Sequence, residues 1–123
     1  MQTPTQLIDR YVALWMEPDT DKRRTEIVAL WSPDGLHYGP SHTCHGYQAL
    51  EQRVTGSYQR SIAPGVNYFR SAGNVQTHHN VVRFNWHMAR KADDHIVAVG
   101  SELFVLDDEG RIAADYQFIE RSE

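Results

Sequence analysis

Hydrophobic and polar positions alternate with a period of two through much of the second half of the chain. Residues 75 to 120 read as three long antiparallel strands. In the first, Val82, Phe84, Trp86 and Met88 alternate with Arg83, Asn85 and His87, as expected where one face is buried. The second carries Ile96, Ala98, Phe104 and Leu106 on one face and Val97, Val99, Leu103 and Val105 on the other. A strand apolar on both sides is central and covered twice. The third sets Ile112, Ala114, Tyr116 and Phe118 opposite Ala113, Asp115, Gln117 and Ile119. Asp107-Asp108-Glu109-Gly110 and Ala92-Asp93-Asp94 supply the turns. Glu102 shares a face with Gly100 and Phe104, so its carboxyl is expected to point at covered space.

The first half changes period. Thr3-Pro4-Thr5-Gln6 opens a helix, with Thr3 as cap, Pro4 at the first helical position and Gln6 closing a capping box. Leu7, Tyr11, Leu14 and Trp15 fall on one face of it, with Ile8 and Val12 alongside. Glu17-Pro18 stops it. A second, shorter helix, capped by Asp19, Thr20 or Asp21, carries Ile27, Leu30 and Trp31 inward and ends at Ser32-Pro33-Asp34-Gly35. Leu36 to Tyr38 reads as a short strand, and residues 39 to 45 as an irregular loop. A third helix runs from about Gly46 to Arg60, and Val66 to Ser71 forms another strand leading into the meander. Helices first and strands after is the α+β pattern, with helices laid on one face of an antiparallel sheet.

Length and composition add bounds. At 123 residues, with no repeats or low-complexity tracts, the chain is expected to be one domain, residues 1–123. Its 12 Lys and Arg are scattered and its formal charge is −4, which argues against nucleic acid. The single cysteine, Cys44, excludes an internal disulfide and fits a reducing compartment. No apolar run approaches a membrane span and the N-terminus has no apolar core, so a cytoplasmic protein is expected.

The order of elements, together with IDRYVALW, LWSPDGLHYGP, the HG opening the third helix, and GSELFVLDDEGRI, resembles the nuclear transport factor 2-like superfamily. Within it the chain is most similar to the SnoaL-like branch, which includes polyketide cyclases and ketosteroid isomerases. The resemblance implies a cone-shaped α+β (cystatin-like) fold whose curved sheet wraps three N-terminal helices around a pocket. It also implies a homodimer packed sheet to sheet. The expected function is that of a pocket protein binding, or acting by cofactor-free acid–base chemistry on, a small hydrophobic carbonyl metabolite, the alternative being a non-catalytic ligand-binding or dimerisation module. It leaves the reaction open, because the scaffold hosts isomerases, cyclases, hydrolases, dehydratases and binders without activity.

Carried over residue by residue from the isomerases, Tyr11 matches the first-helix tyrosine of the oxyanion hole and Glu102 its carboxylic acid partner. A buried Glu102 would have its pKa raised and could stabilise an enolate-like oxygen. The isomerases' general base is an aspartate before a proline at the end of the short strand, and Gly39 stands there. His37 and then His42 are the candidate substitutes. Against these roles stand plain core packing for Tyr11, an ion pair with Arg83 or an exposed edge for Glu102, and ordinary loop positions for the histidines. His45 is a candidate cap for the third helix. Trp15, Trp31, Phe84, Trp86 and Phe104 supply aromatic surface for a flat apolar ligand, or for the core.

Asp115 and Gln117 face the pocket if the Tyr116 and Phe118 side meets a partner, and face water otherwise. Asp115 is also a candidate centre for hydrolase or dehydratase chemistry. No metal is expected: His78 and His79 should point to opposite faces of a strand, and no HxH or HExxH spacing occurs. Cys44 reads as a buried inert thiol rather than a nucleophile beside His42 or His45.

Overall fold

The computed structural model describes residues 2–123. Helix α1, Pro4–Leu14, begins with the expected capping box, the Gln6 amide reaching Thr3 Oγ1 at 3.1 Å and the Thr3 amide reaching Gln6 Oε1 at 2.9 Å. Helix α2, Thr20–Leu30, is capped by Asp19. Trp31 is not helical. It opens β1, Trp31–Gly39, which runs straight through Ser32-Pro33-Asp34-Gly35 where a helix end was expected. A bulge makes this possible: the advance from Trp31 to Leu36 on β1 is matched only by Ile112 to Ala114 on its neighbour. The Tyr47 hydroxyl holds the bend, donating to the Trp31 carbonyl at 2.9 Å.

The expected loop from 39 to 45 is instead a hairpin. Strand β2, His42–His45, pairs antiparallel with β1, Gly39 opposite His42. Helix α3, Gly46–Ser57, follows, with His45 at its N-cap position but making no side-chain capping bond. The helical stretch expected to reach Arg60 changes pitch at its end, Tyr58–Ile62 forming a π-helical turn.

The remaining strands are β3, Asn67–His78; β4, Val81–Arg90; β5, Ile96–Leu106; and β6, Ile112–Ser122. The run from 75 thus belongs to two strands, reversed at His79-Asn80, where His79 takes a φ of 53°. That turn brings the His78 and His79 rings edge to face at 5.4 Å rather than to opposite faces. The sheet order is β2-β1-β6-β5-β4-β3. It is mixed rather than wholly antiparallel, because β1 runs parallel to β6.

The helices cover one face of this unclosed sheet. Leu7, Ile8, Tyr11, Leu14, Ile27, Leu30, Leu50 and Val54 pack with Trp31, Val82, Phe84, Phe104 and Ile112 of the strands. On β5 the inward positions Ala98, Gly100, Glu102 and Phe104 are buried, while Val97, Val99, Leu103 and Val105 on the other face are half-buried. No helix among the described residues is long and apolar enough to cross a membrane.

Phe104 has no exposed surface, and its ring meets that of Phe84 at 5.4 Å. Truncation to alanine removes most of a ring from a close-packed layer. Phe104→Ala is expected to cost about 3–5 kcal/mol in urea unfolding. A loss below about 1 kcal/mol would mean that this layer is not the core.

Candidate functional site

Register on three neighbouring strands brings the polar side chains together. Asp115 of β6 lies between His37 of β1 and Phe104 of β5, and Glu102 of β5 lies between Phe84 of β4 and Gln117 of β6. All point inward, toward Tyr11 on α1. Four aromatic rings surround Tyr11: Phe104 at 4.8 Å, Trp31 at 5.6 Å, Trp15 at 5.8 Å and Phe84 at 6.0 Å between ring centroids. These rings hold the phenol so that its hydroxyl meets Asp115 Oδ2 at 2.5 Å and Glu102 Oε2 at 3.3 Å. His37 Nδ1 meets the same Asp115 oxygen at 2.7 Å. Glu102 Oε1 accepts from Trp86 Nε1 at 3.0 Å and Gln117 Nε2 at 2.9 Å. Arg83, considered as a partner of Glu102, is exposed and bonds Gln76 instead.

Protonation follows from burial. Desolvation, and then the charge of Asp115, raises the pKa of Glu102 well above the carboxylate range. Asp115 is raised to about 6, also chiefly by burial, with hydrogen bonds opposing the rise. Burial lowers His37 to about 4, so at neutral pH it is a neutral imidazole donating Nδ1–H to Asp115. Tyr11 is raised well above its ordinary value by the same desolvation and the neighbouring carboxyls. The directions of these shifts fit an arrangement in which Asp115 is the carboxylate, accepting from Tyr11 and His37 at Oδ2 while its Oδ1 is buried without a partner, and Glu102 keeps its proton and can donate from Oε2.

His37, Glu102 and Asp115 are also the three groups whose ligand atoms come within 4.8 Å of one another. A cation would need the space between them. The 2.7 Å contact of Nδ1 with Oδ2, and the phenol on that same oxygen, are hydrogen bonds that a cation there would have to displace.

A cavity of about 290 Å³ opens over this cluster. Of the expected residues, Tyr11, Trp15, Trp86, Glu102 and Gln117 line it. Trp31, Phe84 and Phe104, considered as ligand-binding, are instead buried core behind Tyr11. Asp115 faces inward, as expected if Tyr116 and Phe118 point outward, but it lies beneath the cavity floor, hydrogen-bonded to its wall through Tyr11. His37 is also below the floor, with no exposed surface, and so does not face a ligand as a base would.

His42 stacks on His37 at 5.0 Å, and burial lowers it too, to about 4. Its ring takes the place of the side chain that Gly39 lacks: a Cβ at Gly39 would lie 2.0 Å from the imidazole. A Cβ on Gly100 would likewise lie 2.1 Å from the Trp86 indole, so that glycine admits the ring that reaches Glu102. Burial raises the pKa of Cys44, which suits an inert thiol.

Arg53, Arg60, Ser57 and Ser61 complete the wall from α3 and the π-helical turn, and nothing in their sequence pattern separated them from solvated helix positions.

Comparison with solved structures agrees with this architecture. A candidate isomerase of the SnoaL-like family from Agrobacterium tumefaciens superposes with a TM-score of 0.85 at 26% identity, over 95% of this chain and 97% of that one. An NTF2-like protein of unknown function from an Exiguobacterium species gives 0.72 at 20% identity, over 94% and 99%. A candidate polyketide cyclase from Sinorhizobium meliloti gives 0.66 at 13%, over 91% and 93%. No protein-family model and no curated protein matches the chain.

With Glu102 and Asp115 raised, the native state holds more protons above pH 4 than the unfolded chain does, so their contribution to stability falls as pH rises. Glutamine at 102 imitates the protonated acid, with its carbonyl accepting from Trp86 and Gln117. Glu102→Gln is therefore expected to unfold at about the wild-type temperature at pH 5 and at a higher one at pH 8. Parallel curves for the two proteins across that range would show that Glu102 is ionised in the fold.

Fold, inward acid and cavity agree with the structural likenesses: the chain has the nuclear transport factor 2-like fold and is similar to a candidate isomerase of the SnoaL-like family.

Proposed function

We propose that the chain binds a small, largely apolar carbonyl compound in the cavity beside Tyr11 and polarises its oxygen with the protonated carboxyl of Glu102. The observation that carries this reading is an acid with 1% of its surface exposed, at the wall of a cavity, its pKa raised by burial. Such a group donates a strong hydrogen bond where charge develops on oxygen, without first losing a hydration shell. Tyr11 and Asp115 tune it: the phenol holds Asp115 as a carboxylate, and that charge keeps the proton on Glu102. The reaction class this favours is cofactor-free isomerisation or cyclisation through an enolate.

A second reading, a ligand-binding module without turnover, is favoured by one observation. Among the described residues Glu102 is the only carboxyl on the cavity wall, and none of them brings an imidazole to it. The Tyr11–Glu102 acid is therefore the half of acid–base chemistry that the site supplies directly.

A phenol probe separates the two. Bound 2-naphthol is expected to ionise about one pH unit or more below its value in water, followed by its absorbance, because the hole favours the oxyanion. Glu102→Gln and Tyr11→Phe should each remove that shift while leaving the variants folded. Binding with an unshifted spectrum, unchanged in Glu102→Gln, selects the module.

We also propose that the outer face of the sheet meets a second copy of the chain. Tyr116 and Phe118 are 39% and 56% exposed, and Tyr38 lies against Tyr116 at 5.0 Å. Leu103 and Val105 continue the same face. Exposed aromatic and aliphatic surface of this kind is an association surface. Light scattering is expected to give about twice the 14.1 kDa chain mass, falling to one in Phe118→Asp. A wild-type monomer at micromolar concentration rejects the dimer. A cytoplasmic location is part of the same proposal, and the single, free and buried Cys44 is in keeping with it.

A further inference from the structure

We propose that the ligand carries a carboxylate, held by Arg53 and Arg60 on the cavity wall opposite in chemistry to Glu102. This rests on the reading above only in sharing its cavity. Both arginines line that cavity. Elsewhere on the chain Arg10, Arg24, Arg90 and Arg111 each pair with a carboxylate. Arg53 and Arg60 make no ion pair or hydrogen bond with a protein acceptor among the described residues, although the chain has 16 acidic residues to offer.

Arg53 is the sharper case. It is half-buried, and its Nε is enclosed without a partner. An enclosed guanidinium donor left unbonded is costly, and a ligand acceptor relieves it. Its guanidinium lies 5.8 Å over the Trp15 ring, which fixes where the fork points. Arg60 crowds it with a second positive charge, and burial and that charge together lower the Arg53 pKa.

The local fold supports this placement. The π-helical turn Tyr58–Ile62 follows directly on α3 and carries Arg60 and Ser61 of the cavity wall, with Ser57 just before it. Two hydroxyls therefore flank two guanidiniums. Among the described residues Glu102 is the only carboxyl on the wall, and burial disfavours its charged form, so the wall's two guanidiniums leave the cavity positive inside a chain of net charge −4. A low-dielectric hollow of that sign draws in and retains an anion. Trp15, Phe69, Trp86 and Met88 provide apolar wall between, which suits a compact body bearing a carboxylate at one end and a carbonyl at the other.

The test uses matched neutral and anionic probes, with quenching of the wall tryptophans Trp15 and Trp86 as the signal. Benzoate and 2-naphthoate are titrated at pH 7 and low salt beside benzamide and 2-naphthamide. At least one acid is expected to bind roughly ten-fold or more tighter than its amide. That preference should vanish in Arg53→Gln, weaken in Arg60→Gln and persist in part in Arg53→Lys. Equal binding of acid and amide, binding by neither acid, or a preference that survives Arg53→Gln overturns the proposal. The 2-naphthol shift is read on the same samples. A shift without an acid preference sinks the carboxylate site alone, and a preference without a shift sinks the Glu102 reading alone.

Discussion

Two carboxyl groups share one water-free place in this fold, and everything around them is arranged so that only one ionises. Asp115 Oδ2 is the node, receiving the phenol of Tyr11 and the imidazole of His37. Both donors bond a carboxylate at that one oxygen, its Oδ1 being buried without a partner, and they favour the negative charge there. Glu102 then keeps its proton because ionising it would place a second charge in the same low-dielectric space. Separate the two acids, or admit water, and the distinction between them collapses.

The sheet topology makes that node. A wholly antiparallel meander would hold Glu102 and Gln117, but His37 reaches Asp115 only because β1 enters parallel to β6, after the bulge that follows Trp31. To this node the helices contribute a single polar group, the Tyr11 hydroxyl, on a ring enclosed by Trp15, Trp31, Phe84 and Phe104. The aromatic residues thus divide into two sets. One holds the phenol still, and the other faces the cavity, with Trp86 in the second set and Trp15 belonging to both.

Much of this was legible in the sequence, for identifiable reasons. The period-two pattern placed Glu102 inward beside Phe104, and the capping box marked the start of α1. Helix periodicity placed Tyr11 on the buried stripe. Parity along β6 set Asp115 and Gln117 on one face, and the exposure of Tyr116 and Phe118 decides which face is inside. Local patterns could not carry the rest. Ser32-Pro33-Asp34-Gly35 has turn chemistry, yet long-range pairing with β6 pulls it into a strand. His79-Asn80 reverses the chain without a glycine. The pairing of Asp115 with His37 spans 78 positions, beyond any local spacing rule. Arg53 and Arg60 look like any charges on a helix until the sheet curves to face them.

The hairpin between β1 and β2 couples two positions that a sequence would treat as separate. The imidazole of His42 fills the side-chain volume that glycine leaves vacant at 39, so the identities of these residues are bound by sterics. An acidic residue cannot be installed at 39, where related isomerases keep their base, while the ring stays. Any route from this arrangement to theirs, by drift or by design, must exchange both residues together or shrink 42 first.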